Sequence, residues 1–328
     1  MTGIEEIRCG DRRALAKALT LIESTRPDHR EQAEKLILQA TPLSGNAIRI
    51  GLTGVPGVGK STLVEALGNH VIQLGHKIAV LAVDPSSSLS GGSILGDKTR
   101  MSTLSVDPNA FIRPTPAAGT LGGVARRTRE SILLCEAAGF DVIVVETVGV
   151  GQSESMVSDM TDLFLLMLLP GGGDELQGIK RGVMELADIV VVNKADGELL
   201  SRARLAAADV QQALRLINPR HAQWPVPVLT VSALNGNGID DIWMNIEKYR
   251  KLLQEQDIIE SDRRQQAANW LWVETREQLL ARFREDAEIM SELEHYQDQV
   301  RDGELSPSVA AGKLVNQFVT RLETGNRK

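Results

Sequence analysis

The chain has 328 residues, 42% of them hydrophobic, with 36 basic side chains against 43 acidic ones and a formal net charge of −7. That length allows one large core with helical additions, and an acidic balance without a basic block excludes a nucleic-acid partner gripped through its phosphates. The two cysteines, Cys9 and Cys135, suit a reducing compartment and make neither a disulfide framework nor a metal site. The polar, acidic start is not a signal peptide, and the longest apolar run, 163–169, is far too short to span a membrane. A soluble cytoplasmic protein with no membrane partner is expected.

Residues 1 to about 40 read as two helices, with Leu15, Leu19 and Ile22 in one and Ala33, Leu36, Ile37 and Ala40 in the other at helical spacing. Pro27 is expected to break between them, and residues 41–46 to form a linker. Short apolar runs then alternate with helices. Strands are expected at 47–53, 77–83, 110–113, 141–146, 163–169, 189–192 and 226–231. Runs this uniformly apolar suit a sheet covered on both faces, with helices as crossovers. The fold class is therefore α/β, a doubly wound and mostly parallel sheet whose ligands bind beyond the carboxyl ends of the strands. After about residue 250 the chain turns charged and helical, with helices expected at 261–288 and 306–322. Trp270, Val273, Leu279, Leu280 and Phe283 keep one face apolar there, so something packs against it. Three regions follow: a helical extension at 1–45, a nucleotide-binding domain at 46–250 and a helical region at 251–328.

The residues with evident chemistry follow the strand ends. Gly54-Val55-Pro56-Gly57-Val58-Gly59-Lys60-Ser61 fits G-x-x-x-x-G-K-[ST] between a strand and a helix. Its glycines let backbone amides close around phosphates, and the helix amino end adds its positive dipole. Lys60 would bridge the β- and γ-phosphates, the Ser61 hydroxyl would bind Mg²⁺, and Thr62 completes the phosphate-binding set. Asp84, Asp97 and Glu146 are candidates to hold the metal and the attacking water, each on the side where the phosphates must sit. Glu146-Thr147-Val148-Gly149 is similar to the switch II motif of GTPases with Glu in place of Asp, and the Gly149 amide would sense the γ-phosphate.

Asn193-Lys194-Ala195-Asp196 follows the strand 189–192. The Asp196 carboxylate can accept from guanine N1–H and the 2-amine together, whereas adenine would leave it unpaired. Lys194 can lay its stem over the purine, and Asn193 would tie the motif back to the phosphate loop. Ser232-Ala233-Leu234 can offer a backbone amide to guanine O6. The nucleotide expected is GTP.

With these elements in place the sequence resembles the MeaB/ArgK family of GTPases. The resemblance runs through Gly10–Ser24, Gly51–Thr62, Ala82–Ser87, Glu146–Glu154 and Gly172–Lys180 and covers nearly the whole chain. It implies a P-loop GTPase domain of the SIMIBI class and a chaperone of methylmalonyl-CoA mutase. Such a chaperone gates adenosylcobalamin loading, protects the mutase and forms homodimers through its carboxyl-terminal helices. Many signalling GTPases place a water-orienting Gln directly after the switch II glycine; here that position is Val150, and Gln152 stands two places later. Slow intrinsic hydrolysis, accelerated by a partner, is the expectation. Asp174 and Gln177 read as a capping box for a helix carrying Leu176, Ile179, Val183 and Leu186, behind a glycine hinge. Lys180 on that helix is a candidate cationic finger as well as a candidate solvated lysine.

His29, His70, His76, His221 and His295 show no ligand spacing, which counts against a nickel-type metallochaperone. Arg126, Arg127 and Arg129 read as a solvated helix face, with contact to a partner as the alternative, and Trp270 and Trp272 as interface or core residues. A kinase acting on amino-acid transport proteins remains a competing reading, and it would ordinarily require an adenine site.

Overall fold

A computed structural model describes residues 3–24, 26–83, 101–115, 121–147, 153–171 and 181–325. The chain divides into two compact units, Met1–Gln266 and Ala267–Lys328.

The first unit opens with three helices, α1 (Ile4–Arg8), α2 (Arg12–Glu23) and α3 (Pro27–Ala40). Asp11 caps α2 by accepting from the Arg13 and Ala14 amides at 2.7 and 3.1 Å. Its apolar face, Ala14, Leu15, Ala18, Leu19 and Ile22, is buried. The break expected at Pro27 falls there, α2 ending at Glu23 and α3 beginning at Pro27, which occupies the first turn of α3, where its missing N–H has no intrahelical partner to lose.

The sheet consists of β1 (Ile48–Gly54), β2 (Ile78–Val83), β3 (Ala110–Thr115), β4 (Val142–Thr147), β5 (Leu163–Leu168), β6 (Ile189–Val192) and β7 (Val228–Thr230). Their order is β3-β2-β4-β1-β5-β6-β7, and every pairing is parallel. From β1 the chain crosses to β2 and the edge strand β3, returns to insert β4 between β2 and β1, and then winds outward on the other side through β5, β6 and β7. Strands β2, β4, β5 and β6 are buried throughout. One face packs α4 (Lys60–Gln73) and α9 (Ile239–Gln254) on Ile48, Ile50, Leu52, Val142 and Val144. The other face, with Ile143, Val145, Phe164 and Leu166, is covered by α2, α3, α5 (Leu121–Ala137), α6 (Ser153–Ser158), α7 (Arg181–Leu186) and α8 (Leu200–Leu214). All seven expected strands form, with ends shifted by a residue or two.

At the amino ends of the strands, carboxylates close the sheet. Asp162 accepts from the Arg49 amide at 2.8 Å, and Asp188 from the Phe164 amide at 2.8 Å. Arg49 donates to both Glu136 oxygens at 2.8 and 2.9 Å, while Glu136 also accepts from the Gly45 amide at 2.6 Å. The arginines of α5 do not form a solvated face. Arg127 is 5% exposed, and Arg129 donates to the Asp159 carbonyl at 2.8 Å, with burial pulling its guanidinium down to about 10.

Helix α10 (Ile258–Glu285) is followed by α11 (Ala287–Arg301) and α12 (Pro307–Gly325). A helix running to Glu288 was expected; instead Asp286 interrupts it, capping α11 through the Glu288 and Ile289 amides. Ile289, Leu314 and Phe318 form a small core, with Phe283, Leu293 and Tyr296 packed on it. Leu279 and Leu280 stay 52% and 41% exposed, so only part of the α10 face expected to be covered is covered within the chain. Among the described residues no helix is long and apolar enough to cross a membrane.

Candidate functional site

The phosphate-loop motif lies at the carboxyl end of the central strand, between β1 and α4. Gly54 is held between neighbours so closely that an added Cβ would stand 2.7 Å from the Met167 carbonyl. The turn closes with Val58 N donating to the Val55 carbonyl at 3.2 Å. Gly59 then enters α4 with φ +96°, a conformation costly for a side chain, and its Cβ would meet Asn193 Nδ2 at 2.7 Å. Glycine is required there on both counts. Val55 is half-buried, Pro56, Gly57 and Thr62 are exposed, and Lys60 is buried.

The Lys60 ammonium donates to the Gly54 carbonyl at 2.8 Å, folded back across its own loop. Burial draws its pKa below the ordinary lysine value, and the Glu146 carboxylate partly offsets this. A buried ammonium bonded to a neutral carbonyl is chemically able to exchange that acceptor for an anionic oxygen. Glu146, near the end of β4 and 6% exposed, accepts from the Ser61 hydroxyl at 3.5 Å. β4 lies directly beside β1, with Leu52 paired to Glu146, and this register brings two motifs about a hundred residues apart in sequence to one corner.

The Asn193–Asp196 motif, expected to read the base, leaves the end of β6. Asn193 is buried and ties three segments together. Its Nδ2 donates to the Val58 carbonyl at 2.8 Å, its Oδ1 accepts from the Ala233 amide at 3.0 Å, and its own amide donates to the Leu168 carbonyl at 2.9 Å. Lys194 follows in the left-handed region at φ 60° with its side chain exposed. Ala195 N donates to the Val231 carbonyl at 3.0 Å, carrying the chain toward the loop after β7. There the Ser232 hydroxyl donates to Asp196 and accepts from the Asn235 amide at 3.3 Å. Ser232 is in turn fixed by an antiparallel bridge to Asn237, its amide donating to the Asn237 carbonyl at 3.1 Å. Leu234 is 80% exposed beside this pair.

The structure thus brings together Gly54 through Ser61, Glu146, Asn193, Asp196, Ser232 and Ala233 along the carboxyl edge of β4, β1, β6 and β7. Asp84, Asp97, Gly149, Val150, Gln152 and Lys180, with the capping pair Asp174 and Gln177, lie outside the described residues. The helix after Lys180 is described from Arg181, and its Val183 is buried. Sequence reasoning assigned Ser232 to the base only through backbone and missed its hydroxyl on the Asp196 carboxylate. It also missed a buried pair, Thr53 and Thr147, whose hydroxyls lie 2.8 Å apart. A lone hydroxyl at the end of each of two apolar strands was the available signal.

The sequence profile described as methylmalonyl Co-A mutase-associated GTPase MeaB matches residues 15–288. A probable GTPase of Mycobacterium tuberculosis is 56% identical over 309 residues, covering 94% of this chain and 92% of that protein. The mitochondrial methylmalonic aciduria type A homolog of Mus musculus is 44% identical over 322 residues, or 95% and 78% of the two chains. A crystal structure described as the LAO/AO transport system kinase superposes with a TM-score of 0.76 at 38% identity, covering 97% of this chain and 96% of that one. By sequence profile, by full-length relatives and by fold, the chain belongs to the MeaB family of methylmalonyl-CoA mutase-associated GTPases.

Proposed function

We propose that this chain binds GTP with Mg²⁺, hydrolyses it slowly, and uses the cycle as a chaperone of methylmalonyl-CoA mutase, gating adenosylcobalamin loading and protecting the mutase. The observation that carries the nucleotide reading is Asn193, which joins the phosphate loop at Val58 to the Ala233 amide beside Asp196. A guanine recognised by Asp196, with the Ser232-Ala233-Leu234 amides at its O6, would then present its phosphates to Gly54 through Thr62. The Ser232 hydroxyl donates to the Asp196 carboxylate, which supports an orientation able to meet the two adjacent purine donors.

The donor set suits a hard cation: the Ser61 hydroxyl faces the Glu146 carboxylate at 3.5 Å. Ser61, Glu146, Asp84 and Asp97 are the residues proposed to hold Mg²⁺, which when bound neutralises charge developing on the β- and γ-phosphate oxygens. Lys60 trades the Gly54 carbonyl for those oxygens, and Glu146 orients the attacking water. Gly149 is proposed to sense the γ-phosphate. Val150, in the place of a water-orienting glutamine, supports slow turnover until the mutase docks, and Lys180 is then the proposed cation at the transition state. The proposed regions are 1–45, 46–250 and 251–328, the last mediating a homodimer. Leu271 and Trp272 on α10 and Val315 and Val319 on α12 are exposed apolar side chains that support such an association. The cytoplasm is the proposed site of action.

The name of the solved relative raises a kinase reading for this chain, and Asp196 weighs against it because it disfavours adenine. The test measures GTP and ATP turnover with and without purified methylmalonyl-CoA mutase. GTP preference, stimulation by the mutase, and loss of turnover in Lys60→Ala and Glu146→Gln are expected. ATP preference, or a rate indifferent to the mutase, would overturn the reading.

A further inference from the structure

The two strands that carry the catalytic corner are joined by a bond outside it. Thr53 and Thr147 are each completely buried, and their hydroxyls lie 2.8 Å apart. They follow directly on the Leu52–Glu146 pair of the β1–β4 register, so each is the residue immediately after a paired position. Thr53 is the last residue before the phosphate loop begins at Gly54, whose carbonyl receives the Lys60 ammonium. Thr147 is the last residue of β4 and directly follows Glu146.

Alternation along a strand places Glu146 on the face of α4 and Thr147 on the opposite face, with Ile143 and Val145. Thr53 shares that opposite face with Gly51, whose Cβ would run into Val157, Thr161 and Phe164. The hydroxyl pair therefore sits beneath the sheet, behind the corner where Ser61 and Glu146 face each other. Water does not reach it. Two valines would fill the same volume without placing polar atoms in an apolar layer. Backbone pairing ties the end of β1 to β5, with Thr53 beside Leu166, and the end of β4 to β2, with Thr147 beside Val83. The β1–β4 pairing stops at Leu52 and Glu146, so the hydroxyl pair carries that link past its last paired residues.

We infer that Thr53 and Thr147 are positioning residues: their hydrogen bond clamps the end of β1 to the end of β4 and thereby sets the Ser61–Glu146 separation on which Mg²⁺ use depends. This rests on the reading of Ser61 and Glu146 as the cation site. Guanine recognition, built from β6 and the loop after β7, should be largely independent of it.

The experiment measures the Mg²⁺ dependence of GTP hydrolysis in the full chain, with thermal unfolding alongside. In Thr147→Val we expect the half-saturating Mg²⁺ concentration to rise about fivefold and kcat to fall about as much, with KM for GTP changing less than about twofold. Thr147→Ser, which keeps the hydroxyl, should stay near wild type. The double variant Thr53→Val/Thr147→Val leaves no hydroxyl stranded, so it should regain thermal stability without regaining normal Mg²⁺ dependence. If it recovered both, or if Thr147→Val matched wild type in Mg²⁺ dependence and kcat, the pair would be packing alone and the inference would fail. A wild-type protein without Mg²⁺-dependent hydrolysis would overturn the reading of the site, and the inference with it.

Discussion

Asn193→Ala is the most informative single change in the site. Asn193 is 2% exposed and satisfies two buried backbone groups that have no place in the sheet ladder, the Val58 carbonyl at 2.8 Å and the Ala233 amide at 3.0 Å. Truncation strands both. An unsatisfied buried group costs about 1–3 kcal/mol, so the pair should cost about 2–5 kcal/mol. In a unit of this size that corresponds to a fall of about 5–15 °C in the unfolding midpoint of the nucleotide-free protein. GTP affinity should fall at least about tenfold as well, because the phosphate loop and the base loop lose their common tether. Asn193→Asp is a sharper control. It keeps an acceptor for Ala233 but turns a carboxylate oxygen toward the Val58 carbonyl, and it should destabilise at least as much. Differential scanning calorimetry and nucleotide titration provide both readouts. If Asn193→Ala unfolded within about 1 kcal/mol of wild type, the two backbone groups would have other partners and the tether argument would be refuted.

Asp196→Asn should exchange an acceptor for a donor at the base. GTP affinity is expected to fall about a hundredfold while xanthosine triphosphate, with a carbonyl in place of the 2-amine, gains; competition binding with both nucleotides measures this, and unchanged GTP preference would remove Asp196 from the base site. Glu136→Ala should strand the Arg49 guanidinium, whose side chain is 14% exposed, and cost about 3–5 kcal/mol in urea unfolding, with Glu136→Gln costing less. Stability should also carry a pH slope from Asp188, whose carboxyl is pushed up to about 6 by burial despite Arg220 and the Phe164 amide. A carboxyl that titrates at 3.8 when unfolded and about 6 when folded holds more protons in the folded state, so its contribution is full below pH 3.8 and is lost as pH rises through 6. Wild type should therefore lose stability relative to Asp188→Asn between pH 4 and 6, and parallel curves across that window would contradict the assignment.

Much of this molecule is legible in its sequence because the signals are local. Strands buried on both faces must be apolar throughout, so 189–192 and its counterparts stand out, and the phosphate loop requires glycine where Gly59 adopts φ +96°. Amphipathic spacing likewise exposes α2. Two local readings failed for physical reasons. The charged run 287–301 hides α11 because only Ile289 is fully buried there, leaving little periodic signal. The three arginines of α5 look solvated because charge alone suggests water, while their burial depends on segments distant in sequence, such as Asp159.

What composition and spacing determined was the fold class, the order of the motifs and the residues proposed to face phosphate and base. Only the tertiary structure decided which of those groups meet. The crossing of β4 to the side of β1 sets Glu146 against Ser61, and the turn after β7 brings Ser232 onto Asp196 and Ala233 onto Asn193. Side-chain hydrogen bonds between segments roughly 40 to 130 residues apart leave no periodic trace in the sequence, because any hydroxyl or amide is locally compatible with its own strand end. Their specificity arises when parallel strands are stacked in register and their carboxyl ends are brought to a single edge.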